Sequence, residues 1–113
     1  MEVKEVYQAL GKLIAEGERV AVATVVKVKG STPREVGAKM AIRANGSFVG
    51  TVGGGCGEAE VWQAAMEALK DGKPRMVNVD LTQDIETGTD KVCGGIMEIF
   101  VDVWPRETSK AEG

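Results

Sequence analysis

The hydrophobic and polar positions of this chain follow two different periods, which predict helices and strands in turn. Apolar residues recur every three or four positions over residues 2–16 and 57–71, as they do on the buried face of an amphipathic helix. The stretches between and after these two segments are rich in β-branched residues or alternate between apolar and polar side chains, as strands do. The predicted strands are residues 19–28, 38–44, 47–52, 74–81 and 96–104.

Turn-forming residues separate these elements. Pro33 and its flanking glycines break the chain after the first strand, and Asn45-Gly46 has the composition of a two-residue hairpin turn. Gly72 and Pro74 end the second helix. The first strand, "RVAVATVVKV", is almost continuously apolar, which predicts a strand buried on both faces.

The resulting order of elements is α-β-β-β-α-β-β. This order indicates an α+β (mixed α/β) fold, with one sheet of about five strands and two helices packed on it. With 113 residues, the chain is expected to form a single domain over residues 1–104, followed by a polar tail over residues 105–113. The long polar segment at residues 82–95 has no periodicity, which makes it a candidate for function.

The charge and the N-terminal segment argue against several classes of partner. The net charge is −3, so no basic field attracts nucleic acid or an anionic membrane. No apolar run approaches the ~20 residues of a membrane span, and the N-terminus lacks the apolar core of a signal peptide. Together with the presence of only two cysteines, these features predict a reduced, cytoplasmic protein.

The sequence contains no histidine, which narrows the chemistry further. Without an imidazole, this chain has no Ser-His or Cys-His nucleophile pair, which argues against a hydrolase. Two thiols alone are also too few for a self-contained structural zinc site.

The segment "GTVGGGCGEAEV", residues 50–61, places glycines around a thiol just before the second predicted helix. A glycine-rich turn at a helix N-terminus leaves backbone N–H groups free for an anion, and the same field favours the thiolate form of the cysteine. The candidate binding residues are Gly53, Gly54, Gly55, Cys56 and Gly57. The alternative is a tight corner in which the glycines avoid clashes and the cysteine is a small apolar filler. Composition and spacing favour neither.

Two further loops add candidate residues. In "DKVCGG", Cys93 lies beside Gly94, so a thiol again adjoins unhindered backbone; the alternative is a buried, inert thiol. If the strands leading from the two cysteine loops are neighbours, both thiols face one cavity. In "GSTPREVGAKM", Arg34 and Lys39 are cations suited to a phosphate or carboxylate, and the alternative is an exposed polar loop.

The three motifs together resemble the N-terminal domain of the XdhC/CoxI family. The resemblance rests on "VATVVKVKGSTPREVGAKMAI", "GTVGGGCGEAEV" and "CGGIMEIFVDV" in this order, and it extends from about Val3 to Trp104. Family members are accessory proteins for molybdenum hydroxylases such as xanthine dehydrogenase and carbon monoxide dehydrogenase. The resemblance therefore implies a chaperone rather than an enzyme. Such a chaperone binds molybdenum cofactor (molybdopterin) as cargo, assists its sulfuration by a cysteine desulfurase, and delivers it to the apo-enzyme.

The resemblance also implies roles for the candidate residues. The backbone of the glycine-rich segment and of Gly94 would hold the phosphate or the polar edge of the pterin. Cys56 or Cys93 would approach the molybdenum as a soft thiolate ligand or carry a persulfide. Arg34 and Lys39 would complete the anion site.

Two other functions stay open on the sequence alone. One is an interaction module that docks a desulfurase or an apo-enzyme without touching the cofactor, and the other is a small thiolate-based sulfurtransferase. Longer family members continue into a Rossmann-like C-terminal domain. The resemblance therefore implies that what that domain contributes is absent here, or is supplied by another polypeptide or by self-association into a homo-oligomer.

Overall fold

The computed structural model describes residues 3–30, 32, 34–52, 57–80 and 95–105. These residues form two helices and a five-stranded sheet, which confirms the predicted α+β class and the predicted order of elements. The elements are α1 (Val3–Ala15), β1 (Val20–Lys29), β2 (Lys39–Arg43), β3 (Phe48–Gly50), α2 (Glu58–Asp71), β4 (Arg75–Asp80) and β5 (Ile96–Trp104).

The sheet has the strand order β3-β2-β1-β5-β4, and all neighbouring strands are antiparallel. The first and the last strand of the chain, β1 and β5, therefore lie side by side at its centre. Their register places Val20 opposite Trp104 and Lys29 opposite Ile96.

The two helices cover opposite faces of this sheet unequally. Helix α1 packs against β1, β2 and β3, whereas α2 packs against β1, β2, β4 and β5. The core on the α2 side is the larger one and includes Met40, Ile42, Val61, Met97 and Ile99. The core on the α1 side is built around Val6, Leu10, Val20, Val22 and Ala41. On the α1 side, β4 and the adjoining part of β5 therefore lie beyond the helix.

Strand β1 is buried on both faces only in its first half. The prediction holds from Val20 to Val25, which are buried except for the half-buried Thr24. It is wrong for the rest of the strand, because a β-bulge shifts the register between Val25 and Lys27. Beyond the bulge, Val28 packs onto the α2-side core, whereas Lys27 and Lys29 are exposed on the α1 side.

The hairpin between β2 and β3 also differs from its prediction. The Gly46 N–H donates to the carbonyl of Arg43, and the Arg43 N–H donates to the carbonyl of Ser47, both at 2.8 Å. The connection is therefore a three-residue loop over residues 44–46 rather than a two-residue turn, with the left-handed Gly46 (φ +93°) as its last residue. Such a type I turn followed by a left-handed residue is the common form of three-residue hairpin loops.

Helix α2 ends as its sequence predicts. Gly72 adopts the left-handed conformation, and its N–H donates to the carbonyl of Ala68 at 2.6 Å. Neither helix of the described chain has the length and apolar character needed to cross a membrane.

Candidate functional site

The loops that carry the predicted site all leave the same end of the sheet, which we call the loop end. The end of β1 and the end of β4 both lie at the start of β5, because Lys29 and Asp80 pair with Ile96. The start of β2 and the end of β3 lie at this end as well, since Lys39 pairs with Thr24 and Gly50 with Met40. The antiparallel topology thus gathers loops that are distant in the sequence.

Several predicted site residues fall outside the described chain. They are Gly53, Gly54, Gly55, Cys56, Cys93 and Gly94. The described residues next to them define where these segments join the fold. The first segment follows Val52, a buried residue, and ends at Gly57, where α2 begins.

The head of α2 lies directly against β4 on the α2 side of the sheet. Gly57 adopts the left-handed conformation (φ +78°), and a Cβ atom at this position would lie 2.4 Å from Cγ1 of Val79. Val79 pairs with Met97 in β5, shortly after the second cysteine segment. Although β3 and β5 are not neighbouring strands, the flanks of the two cysteine segments therefore meet through α2.

A second glycine opens the first motif and is equally constrained. Gly50 has φ +86°, and a Cβ there would lie 2.6 Å from the carbonyl oxygen of Lys39. The next residue, Thr51, donates a hydrogen bond from its hydroxyl to the carboxylate of Glu58. This contact fixes the first residue of α2 to the end of β3.

The N-terminus of α2 offers backbone donors to an anion. Gly57 provides no side chain to cap the helix, and no side-chain cap is present there among the described residues. The first-turn N–H groups of a helix have no intrahelical partner and lie at the positive end of its dipole. Glu58 and Glu60 add negative charge in this turn, and the carboxylate of Glu58 is held by Thr51.

A cleft of about 440 Å³ lies at the loop end, where β1 ends. It is lined by Val28, Gly30, Thr32, Glu35 and Val36. The cleft and the head of α2 lie over the same row of sheet residues on the α2 side. This row, Val28–Met97–Val79, runs across β1, β5 and β4, and Val28 lines the cleft while Val79 contacts the head of α2. With neighbouring strands ~4.8 Å apart, the two ends of this row lie roughly 10 Å apart.

Arg34 belongs to the loop that borders this cleft. The hydroxyl of Thr32 donates to the backbone carbonyl of Arg34 at 2.9 Å, which fixes the loop locally. Arg34 is half-buried, and its guanidinium makes no hydrogen bond or ion pair with a described residue. It is therefore available to a ligand at the loop end.

Lys39 lies on the opposite, α1 side of the sheet. Its Nζ donates to the hydroxyl of Thr24 at 2.9 Å and stands 5.5 Å from the ring centre of Tyr7. The structure therefore does not bring Lys39 to the head of α2. The signal was present in the sequence: Met40 and Ile42 are core residues, and strand alternation turns Lys39 to the other face.

A second cleft, of about 200 Å³, lies on the α1 side of the loop end. It is lined by Lys27, Lys29, Asn78, Ile96 and Glu98. None of these residues was predicted as functional. The β-bulge in β1 is what aims both lysines at this face, and no sequence pattern marks it.

The ion pairs that Arg43 and Arg75 form lie away from the loop end. Arg43 donates to both carboxylate oxygens of Glu18, at 3.1 and 2.6 Å, and this hydrogen bonding lowers the pKa of Glu18 below its usual value. The pKa of Asp71, at the end of α2, is lowered by the backbone N–H of Lys73 and then by Arg75. The described residues contain no cluster of three or more His, Cys, Asp or Glu side chains able to hold a metal ion.

The fold and these loops define a small α+β domain in which the segments that contain the predicted site residues all join one end of the sheet. The sequence profile of the XdhC and CoxI family matches residues 13–80, more than half of the chain. The chain belongs to this family.

Several relatives show how this domain is used in longer proteins. The chain is 36% identical over 98 residues to YqeB of Escherichia coli, covering 87% of this chain and 18% of YqeB. It is 31% identical over 96 residues to a probable xanthine dehydrogenase subunit of Bacillus subtilis, covering 82% of this chain and 29% of that protein. It is 33% identical over 64 residues to the molybdenum cofactor insertion chaperone PaoD of Escherichia coli, covering 57% of this chain and 20% of PaoD.

A solved structure has the same fold. A xanthine dehydrogenase from Bacillus halodurans superimposes with a TM-score of 0.72 and 28% identity, covering 85% of this chain and 29% of that one. The chain thus spans less than a third of the length of each protein it is compared with.

Proposed function

We propose that this protein is a maturation factor for a molybdenum hydroxylase of the xanthine dehydrogenase or carbon monoxide dehydrogenase type. In this role it binds molybdenum cofactor as cargo, assists its sulfuration and supports its insertion into the apo-enzyme. Membership of the XdhC and CoxI family supports the proposal, as does similarity to a molybdenum cofactor insertion chaperone and to proteins described as xanthine dehydrogenases.

The observation that carries the proposal is the gathering of three loops at one end of the sheet. A pterin with a dithiolene and a phosphate is too large for one loop to hold, so it needs several segments that meet. The described parts of the loop end offer the kinds of chemical group that such a cargo requires. The head of α2 provides uncapped N–H groups, and the 440 Å³ cleft provides apolar and hydroxyl groups.

The predicted residues take the following roles in this proposal. The backbone N–H groups of residues 53–57 and of Gly94 hold the polar parts of the cargo. Cys56 or Cys93 contacts the molybdenum as a thiolate or carries the sulfur. Arg34 reaches the cargo from the loop that borders the cleft.

Lys39 is a different case, because its side chain lies on the α1 side of the sheet. It acts on the cargo only if part of the cargo extends around the end of the sheet to that side.

The proposed partners are the apo-form of a molybdenum hydroxylase and a cysteine desulfurase. A homo-oligomer is proposed as well, because a cofactor of this size extends beyond a domain as small as this one. Each partner has to reach the loop end, where the cysteine segments join the fold.

The proposal is tested by cargo retention. The protein is incubated with an extract that contains molybdenum cofactor and is then repurified, and co-eluting molybdenum and pterin are measured. The wild-type chain is expected to retain both, and the variant with Cys56→Ser and Cys93→Ser is expected to lose most of the molybdenum. Lys70→Gln, on the surface of α2 near its C-terminal end, is the matched control and should behave like wild type.

The opposite result is equally clear. If the wild-type chain retains no more molybdenum or pterin than the double cysteine variant, direct binding through the thiols is wrong. Persistent binding of an apo-hydroxylase under those conditions would favour the alternative, an interaction module that does not touch the cofactor.

A further inference from the structure

The α1 side of the loop end, which we call the open face, is a surface that the proposed site leaves unused. It consists of the end of β1, the start of β5 and the end of β4, and it lies beyond the edge of α1. Its cleft of about 200 Å³ is lined by Lys27, Lys29, Asn78, Ile96 and Glu98. Lys39 lies on the same side of the sheet, one strand further along.

Three lysines on this side have no carboxylate partner among the described residues. Lys39 is half-buried, and its ammonium group is held by the Thr24 hydroxyl and the Tyr7 ring. Neither Lys27 nor Lys29 makes a hydrogen bond or ion pair with a described residue. Three cations from two neighbouring strands thus remain without a counter-ion in the described chain.

Two arginines elsewhere in the sheet differ from these lysines, because both have acidic partners. The chain has more acidic than basic residues, 17 against 14, so carboxylates are plentiful. Arg43 is paired with Glu18, and Arg75 is paired with both Glu67 and Asp71. The open face therefore differs from the surroundings of these two arginines, because its lysines have no acidic partner among the described residues.

The acidic groups of the open face do not neutralise these lysines. Glu98 lies directly opposite Lys27 in the register of β1 and β5, yet the two side chains form no ion pair. Asp80, at the border of the cleft, interacts with another group. The exposed ammonium groups of Lys27 and Lys29 therefore have no carboxylate contact within the described chain and can bind an anion from solution.

The bulge in β1 determines which face of the sheet Lys27 and Lys29 occupy. Bulges re-aim side chains near binding sites, and this one turns Lys27 and Lys29 together onto the open face. The amide of Asn78 stands across the cleft and supplies an additional hydrogen-bond donor.

We propose that Lys27 and Lys29 of the open face, together with the adjacent Lys39, bind a phosphate or pyrophosphate group, with Asn78 as a neutral donor. The ligand is either a free phosphate compound or, resting on the proposed function, the phosphate end of the cargo. In the second case the cargo crosses the loop end. Its phosphate then lies on the open face, and the glycine-rich segment holds the polar edge of the pterin.

The test is calorimetric titration of the full chain with pyrophosphate at low ionic strength. The wild-type protein is expected to bind, and the double variant Lys27→Gln with Lys29→Gln is expected to bind at least about tenfold more weakly. Lys39→Gln should also weaken binding severalfold, and Thr24→Val, which removes only the orienting hydroxyl, should do so to a lesser degree. Lys12→Gln, an exposed lysine near the far end of α1, is the control and should bind like wild type.

One further variant separates a built site from general attraction to lysines. Glu98→Gln removes the carboxylate that faces the lysines while keeping its shape, so pyrophosphate should bind it about threefold more tightly. Absence of binding to the wild-type chain overturns the proposal. So does an equal loss of affinity in Lys12→Gln, or an unchanged affinity in the Lys27/Lys29 variant whose circular dichroism shows a native fold.

Parallel measurement of cargo retention distinguishes the two ligand sources. If the Lys27/Lys29 variant loses both pyrophosphate and pterin, the cargo phosphate is the ligand. If it loses pyrophosphate alone, the site serves a separate phosphate compound. If the wild-type chain retains no cargo, the proposed function is wrong. The pyrophosphate titration still tests the proposed phosphate site independently.

Discussion

The two ends of the sheet are built in opposite ways. At the end where β1 begins, a short three-residue loop joins β2 to β3, and the Trp62 indole donates to the Gly46 carbonyl at 2.9 Å. Arg43 and Glu18 form a two-point ion pair at the same end. The loop end has long connections, a helix terminus without a side-chain cap and lysines without carboxylate partners in the described chain.

The difference separates the parts of the molecule that hold the fold from those suited to binding. Where polar groups satisfy each other within the chain, they gain nothing from a ligand. Where N–H groups and ammonium groups are left without internal partners, an anionic ligand can satisfy them. The same sheet supports both arrangements, one at each end.

The largest expected effect comes from closing the tight contact at the head of α2. Gly57→Ala places a Cβ against Val79 and forces a left-handed backbone on an L-residue. We expect the free energy of unfolding to fall by roughly 2–4 kcal/mol, measured by urea denaturation. Val79→Ala in the same chain should recover part of this loss by removing the clash while the backbone strain stays.

Gly11→Ala is the matched control for this prediction. Gly11 lies inside α1, and a Cβ there would meet no atom within 4 Å. The substitution should therefore stabilise the protein by about 0.5–1 kcal/mol. Equal stability of Gly57→Ala and wild type would mean that α2 does not begin against β4 as described.

A smaller effect tests the two faces of the loop end against each other. Val28 packs on the α2-side core, whereas Lys27 is exposed on the open face. Val28→Lys is expected to lower the free energy of unfolding by about 1–2 kcal/mol, because it buries part of a charged side chain. Lys27→Val should change it by less than about 0.5 kcal/mol. The reverse ranking in thermal or urea unfolding would place the bulge elsewhere in β1.

The smallest effect concerns the Arg43–Glu18 ion pair, at the end of the sheet opposite the loop end, and it depends on pH. Arg43 holds the pKa of Glu18 below its ordinary value of 4.5 in the folded protein. The ion pair therefore contributes stability above that ordinary pKa, and this contribution is lost as the pH falls through the lower, folded-state value.

Glu18→Gln removes this contribution and supplies the comparison. The variant should be slightly less stable than wild type at neutral pH, and the two unfolding curves should converge in acid. Urea denaturation at a series of pH values measures the effect. Because the two side chains remain about one third exposed to solvent (34% and 30%), the difference should be small. A constant difference down to the most acidic condition would contradict the assignment.

The order of the elements could be predicted from the sequence, because each has a clear period or clear boundary residues. The strand order and the gathering of loops could not, since they depend on pairings such as that of Lys29 with Ile96. Strand alternation was enough to place Lys39 opposite the core face of β2. Alternation alone could not predict the face on which Lys27 and Lys29 lie. The bulge between Val25 and Lys27 shifts the alternation by one residue, and no compositional signal marks it.

The glycine motif contains one feature that could be predicted from the sequence and one that could not. Its composition predicted a sharp turn or a close approach, and Gly57 shows both, in a left-handed conformation against Val79. The contact itself joins residues far apart in the sequence, so only the folded chain reveals it.

The central position of β1 and β5 also governs when the domain can fold during synthesis. Strand β1 is synthesised early, whereas its partner β5 ends only at Trp104. The pairing of β1 with β5 at the centre of the sheet can therefore form only late in synthesis. Until then, one edge of an apolar strand stays without its neighbour, as is typical of topologies with long sequence separation between paired strands. A nascent chain that stalls before residue 96 would therefore lack β5, the strand that joins β4 to the rest of the sheet, and we expect such a product to be a substrate for chaperones and proteases.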